Sequence, residues 1–154
     1  YDAKTGYLGY TVNGENLFEI SNYDRILVIR KDGTYSVIDV PDKLFVDRGM
    51  LHCGFIDEEQ IYNLVYKDKK GLAYIKRCNI QKFILNKVYN LNPEGTKLLK
   101  FTANSEKKIV LDYKPKPRLK ILNEEFLISD YPIRGIKAGG IRLASRELQT
   151  CKIT

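Results

Sequence analysis

Residues 60–77 read QIYNLVYKDKKGLAYIKR, and the fold follows from how that stretch divides. Ile61 to Tyr66 is a short apolar and aromatic run, Lys67-Asp68-Lys69-Lys70-Gly71 is a charged turn, and Leu72 to Arg77 is a second short run ending in a basic pair. Tyr, Val and Ile favour a pleated, half-buried surface, and Asp with Gly supplies a turn, so the stretch predicts a β-hairpin. The plan occurs twice more. Arg25 to Arg30, the turn Lys31-Asp32-Gly33 and Thr34 to Val40 form one copy, with Asp32-Gly33 a candidate type I′ turn and Pro41 ending the second strand. Lys107 to Tyr113, Lys114-Pro115-Lys116-Pro117 and Arg118 to Leu122 form another.

The turns recur 38 residues apart from Gly33 to Gly71 and 47 apart from Lys67 to Lys114. Periods in this range, with several short strands each, indicate propeller-type blades. The expected fold is therefore all-β: a propeller-like repeat array of about three four-stranded blades, with residues 1–154 as one domain. A β-sandwich is the structural alternative. Around the hairpins, Thr5 to Val12 predicts a strand, turning at Asn13-Gly14 into a partner at Asn16 to Ile20. Lys43 to Asp47 reads as a connector, and Met50 to Ile56, Cys78 to Tyr89, Thr96 to Ala103 and Leu143 to Thr154 read as further strands.

The 154 residues are 44% hydrophobic and 29% charged, enough for a core. The start at Tyr1 suggests a segment of a longer chain. No apolar run approaches the roughly 18–20 residues that span a membrane, and no secretory signal is present. Three widely spaced cysteines argue against a disulfide framework and point to a reducing, cytoplasmic setting. The net charge of +7 is unevenly placed: residues 1–77 carry −1 and residues 78–154 carry +8. Such a half suits a polyanion.

Catalytic signals are weak. Asp57-Glu58-Glu59 lies in a turn before a strand, where adjacent side chains diverge. His52 and Cys53 are strand neighbours pointing oppositely, which precludes a Cys–His dyad. No CxxC or HxxxH spacing supports zinc, and no Walker-type phosphate loop occurs. Tyrosines such as Tyr35, Tyr62, Tyr66 and Tyr74 fall inside predicted strands and are expected to pack rather than stack on bases.

Thr5-Gly6-Tyr7-Leu8-Gly9, the run Asp24 to Gly33 (DRILVIRKDG) and Ala73-Tyr74-Ile75-Lys76-Arg77 resemble the C-terminal domain of bacterial type IIA topoisomerase A subunits. The likeness is closer to the A subunit of topoisomerase IV than to that of gyrase, and it runs along nearly the whole chain. The resemblance implies a β-pinwheel, a propeller-like array whose four-stranded blades exchange strands. It implies a domain, itself non-catalytic, that binds and bends duplex DNA on its outer rim and presents DNA segments to a cleavage core elsewhere in an ATP-dependent type II topoisomerase. ATP and Mg would belong to other domains or subunits, with no cofactor in this segment. The implied partners are double-stranded DNA, the ATPase B subunit of the enzyme and a second copy of its A chain, with no membrane. Gyrase subunits carry a Gln-Arg-Arg-Gly-Gly-Lys-Gly box; here Arg134 to Gly140 (RGIKAGG) is at most a degenerate version, so strong wrapping is not expected.

A DNA rim needs recurring cations and little base readout. The candidates are Arg30, Lys31, Lys67, Lys69, Lys70, Lys76, Arg77, Lys114, Lys116, Arg118, Lys120, Arg134, Lys137 and Arg142, with Gly135, Gly139 and Gly140 exposing backbone N–H groups to phosphate. The alternatives are a propeller-like module that binds an acidic protein and, less consistent with the missing polar cluster, a sandwich enzyme.

Overall fold

The computed structural model describes residues 1–19, 24–117 and 121–154. Thirteen strands are present among them: β1 (Tyr7–Leu8), β2 (Arg25–Ile29), β3 (Thr34–Asp39), β4 (Leu44–Phe45), β5 (His52–Phe55), β6 (Tyr62–Lys67), β7 (Ala73–Cys78), β8 (Tyr89–Asn90), β9 (Lys97–Thr102), β10 (Lys108–Tyr113), β11 (Asn123–Leu127), β12 (Ile141–Arg142) and β13 (Leu148–Ile153). The sole helical element described is a 3-10 turn at Ile128–Asp130. The chain is all-β.

The sheets run β1-β4, β5-β2-β3-β8, β12-β7-β6-β9 and β11-β10-β13, and every described pairing is antiparallel. One rule generates this order. Each repeat makes a hairpin, sends a two-residue third strand to an earlier sheet, then returns a fourth strand to the open side of its own first strand. Thus β2-β3 is followed by β4, which joins β1, and by β5, which joins β2. The hairpin β6-β7 is followed by β8, which joins β3, and by β9, which joins β6. The hairpin β10-β11 is followed by β12, which joins β7, and by β13, which joins β10. These are the strand-exchanged blades of a β-pinwheel. Two are four-stranded, and the third has three strands among the described residues.

The chain packs as two compact units, residues 1–58 with 81–91 and residues 59–80 with 92–154. In the first unit, Ile26, Val28 and Ile38 share one face of β2-β3 and pack with Leu8 and Val46, flanked by Phe18, Met50 and Cys53. In the second, Val65, Ala73 and Ile75 from the β6-β7 hairpin pack with Ile109, Leu111 and Tyr113 of β10, Ile128 and Leu148. Alternation along β10, with Ile109, Leu111 and Tyr113 buried and Lys108 exposed, lays a single apolar face on that core.

Several expected elements fall elsewhere. Strand β1 is short and pairs with β4, inside the expected connector, rather than with Asn16 to Ile20. Residues 16–19 form no strand, and Ile20 lies outside the described residues. Gly14 makes no hairpin because its segment pairs with Tyr1: the Glu15 amide donates to the Tyr1 carbonyl at 2.8 Å, and a Cβ on Gly14 would collide with that carbonyl. The expected strand from Cys78 to Tyr89 is interrupted. Strand β7 ends at Cys78, Asn86 takes a left-handed φ of 66° while its amide donates to the Val37 carbonyl, and only Tyr89–Asn90 joins a ladder.

Among the described residues, the strand that pairs with β10 in the third hairpin is Asn123–Leu127; Ile121 and Leu122 form no strand, and the rest of the expected strand, residues 118–120, lies outside the described residues. Pro115 and Pro117 offer no N–H to a ladder. The Tyr113 amide donates to the Leu122 carbonyl at 2.8 Å, where the loop closes.

The Asp32-Gly33 turn also differs from a type I′ turn. Only Gly33, at φ 88°, is left-handed, and the Gly33 amide donates to Arg30 while the Arg30 amide donates to Thr34. That is a type I turn closed by a glycine bulge. Asp32 stays right-handed, and its carboxylate accepts the Thr34 amide and hydroxyl.

Leu111, fully buried at the centre of β10, tests the second core. Leu111→Ala is expected to lower unfolding free energy by about 2–5 kcal/mol in urea titrations. Leu127→Ala, on the exposed side of the neighbouring strand, should change it by no more than about 0.5 kcal/mol.

Candidate nucleic-acid interface

The second unit carries 18 Lys+Arg against 9 Asp+Glu, a net charge of +9, whereas the first carries 8 against 10, a net −2. The positive charge therefore belongs to one packed body, and its local structure presents the cations in two groups.

One group gathers where the second and third hairpins turn. The Lys67–Gly71 turn repeats the geometry of the first. The Gly71 amide donates to the Asp68 carbonyl, the Asp68 amide donates to the Leu72 carbonyl, and Gly71 has φ 81°. Asp68 holds the turn through its carboxylate, which accepts the amides of Lys70 and Leu72 at 2.9 and 3.0 Å and the Tyr74 hydroxyl at 3.2 Å. The Leu72 amide is the main reason its carboxyl sits below the usual range. With Asp68 engaged by the backbone, Lys69 and Lys70 stand exposed at the tip.

Next to this turn, the Leu148 amide donates to the Gly71 carbonyl and the Lys114 amide donates to the Glu147 carbonyl. Lys114 pairs with Glu147 at 2.7 Å, and Lys116 and Lys67 add to the positive field that lowers the Glu147 carboxyl. One carboxylate thus faces three lysines. Lys67 also lies directly across the ladder from Lys97, and like charges so placed repel. An external anion would relieve that repulsion.

The other group is the segment 131–143, laid along β7. Its exposed side carries Arg134, Lys137 and Arg142. Its inner side is tied to the sheet by the Arg134 amide donating to the Arg77 carbonyl at 2.8 Å, the Leu143 amide to the Ala73 carbonyl at 2.9 Å and the Gly140 amide to the Tyr66 hydroxyl at 2.8 Å. Tyr66 is buried and lies parallel to Tyr74, with ring centroids 5.3 Å apart. Burial is the main reason the Tyr66 phenol titrates higher than usual.

Lys76 and Arg77, expected on the rim, are instead buried, at 4% and 8% exposure. The Lys76 ammonium donates to the Ile136 carbonyl at 2.5 Å. The Arg77 guanidinium donates to the Asn63 amide oxygen at 2.9 Å and to the Tyr131 carbonyl at 2.6 Å. Burial lowers the pKa of both. On β7 they lie opposite Leu64 and Asn63 of β6, just beyond the residues that β12 pairs, and both side chains are enclosed by protein.

Arg30 and Lys31 belong to the first unit. Arg30 is half-buried, with one guanidinium nitrogen 3.3 Å from the Ser36 hydroxyl, and Lys31 is exposed with its chain across Gly49. Arg118 and Lys120 lie outside the described residues. Sequence reasoning passed over the exposed Lys97 and Lys100 on β9 and Lys107 and Lys108 at the start of β10. The two-fold strand period places Lys97 opposite Lys67 once the β6-β9 pairing is known.

The remaining titratable groups form no competing chemistry among the described residues. Burial raises the Cys53, Cys78 and Cys151 thiols to about 11, which keeps them protonated and weakly nucleophilic. Burial lowers the pKa of His52. Among the described residues, no group of three or more His, Cys, Asp or Glu is placed to hold a metal. Asp57, Glu58 and Glu59 are exposed. Tyr35 and Tyr62 are buried and stacked on Tyr89 and Phe101, so they serve packing.

Strand-exchanged sheets bearing clustered, exposed cations, with no catalytic constellation among the described residues, define a β-pinwheel domain. The chain belongs to the topoisomerase C-terminal domain family described from Bacteroidota, whose profile matches residues 1–154. It is also similar to the A chain of DNA topoisomerase 4 from Borreliella burgdorferi (strain B31), at 32% identity over 106 residues. That match covers 64% of the chain and 17% of the relative. No solved structure matches the chain.

The three glycines of the 131–143 segment differ in what the fold asks of them. None is left-handed. A Cβ on Gly140 would lie 2.7 Å from the Ile75 carbonyl oxygen and the Tyr66 hydroxyl, whereas a Cβ on Gly135 or Gly139 would meet nothing within 4 Å. Thermal and urea unfolding should show Gly140→Ala destabilised by about 1–3 kcal/mol. Gly135→Ala and Gly139→Ala should be neutral or stabilised, by up to about 1 kcal/mol.

Proposed function

We propose that this domain binds duplex DNA through its second unit and bends it, serving as the DNA-presenting module in the A chain of a type IIA topoisomerase. The observation that carries this reading is the +9 charge of the second unit together with the exposure of most of its described cations. Lys69 and Lys70 at the hairpin tip, Lys67, Lys114 and Lys116 around Glu147, and Arg134, Lys137 and Arg142 on the outer segment are the contact set. Arg118 and Lys120 belong to the same expected set, and Arg30 and Lys31 are a separate candidate set on the first unit. Recognition rests on phosphate neutralisation and counterion release. Gly135 and Gly139, which neither conformation nor internal packing requires, leave bare backbone where a phosphodiester chain can approach closely.

The parent enzyme's cleavage of DNA, its use of ATP and Mg, and its pairing with the ATPase B subunit or with a second A chain lie with other parts of that assembly. The setting is cytoplasmic. Within it, the domain holds and steers a DNA segment. The RGIKAGG segment departs from the gyrase box at most positions, which favours steering over strong wrapping.

Fluorescence anisotropy with duplexes of increasing length, titrated with salt, tests the reading. Affinity should rise with length to a preferred value and fall steeply with salt. Arg134→Ala, Lys137→Ala and Arg142→Ala combined should lower the slope of log K against log salt by about 2.7, that is about 0.9 per lost phosphate contact. Absent or salt-insensitive binding to long duplex overturns the reading and leaves a module for an acidic protein as the alternative.

A further inference from the structure

Lys76 and Arg77 are adjacent on β7 and buried, yet both are cations. Burying a charge costs several kcal/mol unless hydrogen bonds compensate. An internal strand of an all-β core needs no charge at either position, so two in succession call for an explanation in what they hold. Neighbours on a strand project to opposite faces of the sheet. Lys76 donates to the Ile136 carbonyl, Arg77 donates to the Tyr131 carbonyl, and between those anchor points the Arg134 amide donates to the Arg77 carbonyl. The segment 131–136 is therefore gripped from both faces and pinned at its middle. Asn63 completes the grip: its side-chain oxygen accepts from Arg77, while its amide donates to the Thr102 carbonyl at 3.1 Å and lies 3.3 Å from the Ser105 hydroxyl. Further along, Gly140 is held by Tyr66.

We propose that Lys76 and Arg77 are positioning residues for the DNA-binding segment, gripping residues 131–136 from below so that Arg134, Lys137 and Arg142 stand as one fixed array on the surface. Neither side chain touches DNA. A tethered array loses less conformational freedom on binding than three cations on a free loop, so the grip converts backbone hydrogen bonds into affinity. This inference rests on the DNA-binding reading.

The salt slope separates positioning from contact. Replacing one cation that touches a phosphate lowers the slope by about 0.9. Lys76→Met removes one charge but releases the segment, so the slope should fall by about 2, with the amide of Arg134 exchanging hydrogen at least about tenfold faster. Arg77→Met should behave alike. Tyr66→Phe removes no charge and one hydrogen bond to the segment. It should speed exchange at Gly140 about tenfold and lower the slope by about 1, with the thermal midpoint lowered by only about 2–6 °C, and it decides the matter if the Met variants do not fold. A slope reduced by about 0.9 or less in Lys76→Met, with unchanged exchange at Arg134, overturns the proposal while leaving DNA binding intact. So does faster exchange with an unchanged slope in Tyr66→Phe. If the unsubstituted domain shows no salt-dependent binding to duplex, the DNA reading itself falls.

Discussion

The structure depends on strand edges that a repeat cannot close for itself. A two-stranded hairpin leaves two rows of unpaired amides and carbonyls, and such edges must be paired or protected. Here the first strand of each hairpin is closed by its own repeat: β5 returns to β2, β9 to β6 and β13 to β10. The second strand is closed only by a segment arriving after the next hairpin, β8 on β3 and β12 on β7. These donated strands are two residues long, so they add few hydrogen bonds, but they tie successive repeats together in a set order. Such pairings are distant in sequence, and their loop-closure entropy is lost before any contact energy is gained.

The donated strand also decides where function can sit. Strand β12 joins β7 at Ile141 and Arg142, and the ten residues before it must then run back along the same strand. That route puts Tyr131, Arg134 and Ile136 over Lys76 and Arg77 and leaves the side chains of Arg134, Lys137 and Arg142 outside. The cations that look most available in a linear reading, the pair at the end of AYIKR, become internal scaffolding. Those in the irregular segment become the surface. A similar exchange occurs at the hairpin tips, where Asp68 is taken up by the backbone and Glu147, far off in sequence, becomes the carboxylate among Lys67, Lys114 and Lys116.

The legible parts share a local cause. The hairpins β2-β3 and β6-β7 are readable because β-branched and aromatic runs flank an Asp-containing turn closed by glycine, and those preferences act within a few residues. The packing of Tyr35, Tyr62 and Tyr66 and the all-β class follow from the same short-range patterns. The misplaced elements share a non-local cause. Strand β4 is invisible because Leu44 and Phe45 adopt strand conformation only by meeting Tyr7 and Leu8. The break after Cys78 is invisible because Asn86 turns against Val37, in another repeat. The third hairpin is misread because its strand begins past a proline-bearing loop, where composition offers no sharp start.

Sequence alone determined the strand class, the repeat, the family likeness and the imbalance of charge, since each is a property of residue type and order along the chain. Tertiary structure decided which cations face outward, which unit holds the charge and how the 131–143 segment is anchored. The physical reason is that a charge's role depends on its solvation and partners. Lys76 and Lys137 are identical in the sequence, and only the fold buries one against a carbonyl and leaves the other in water.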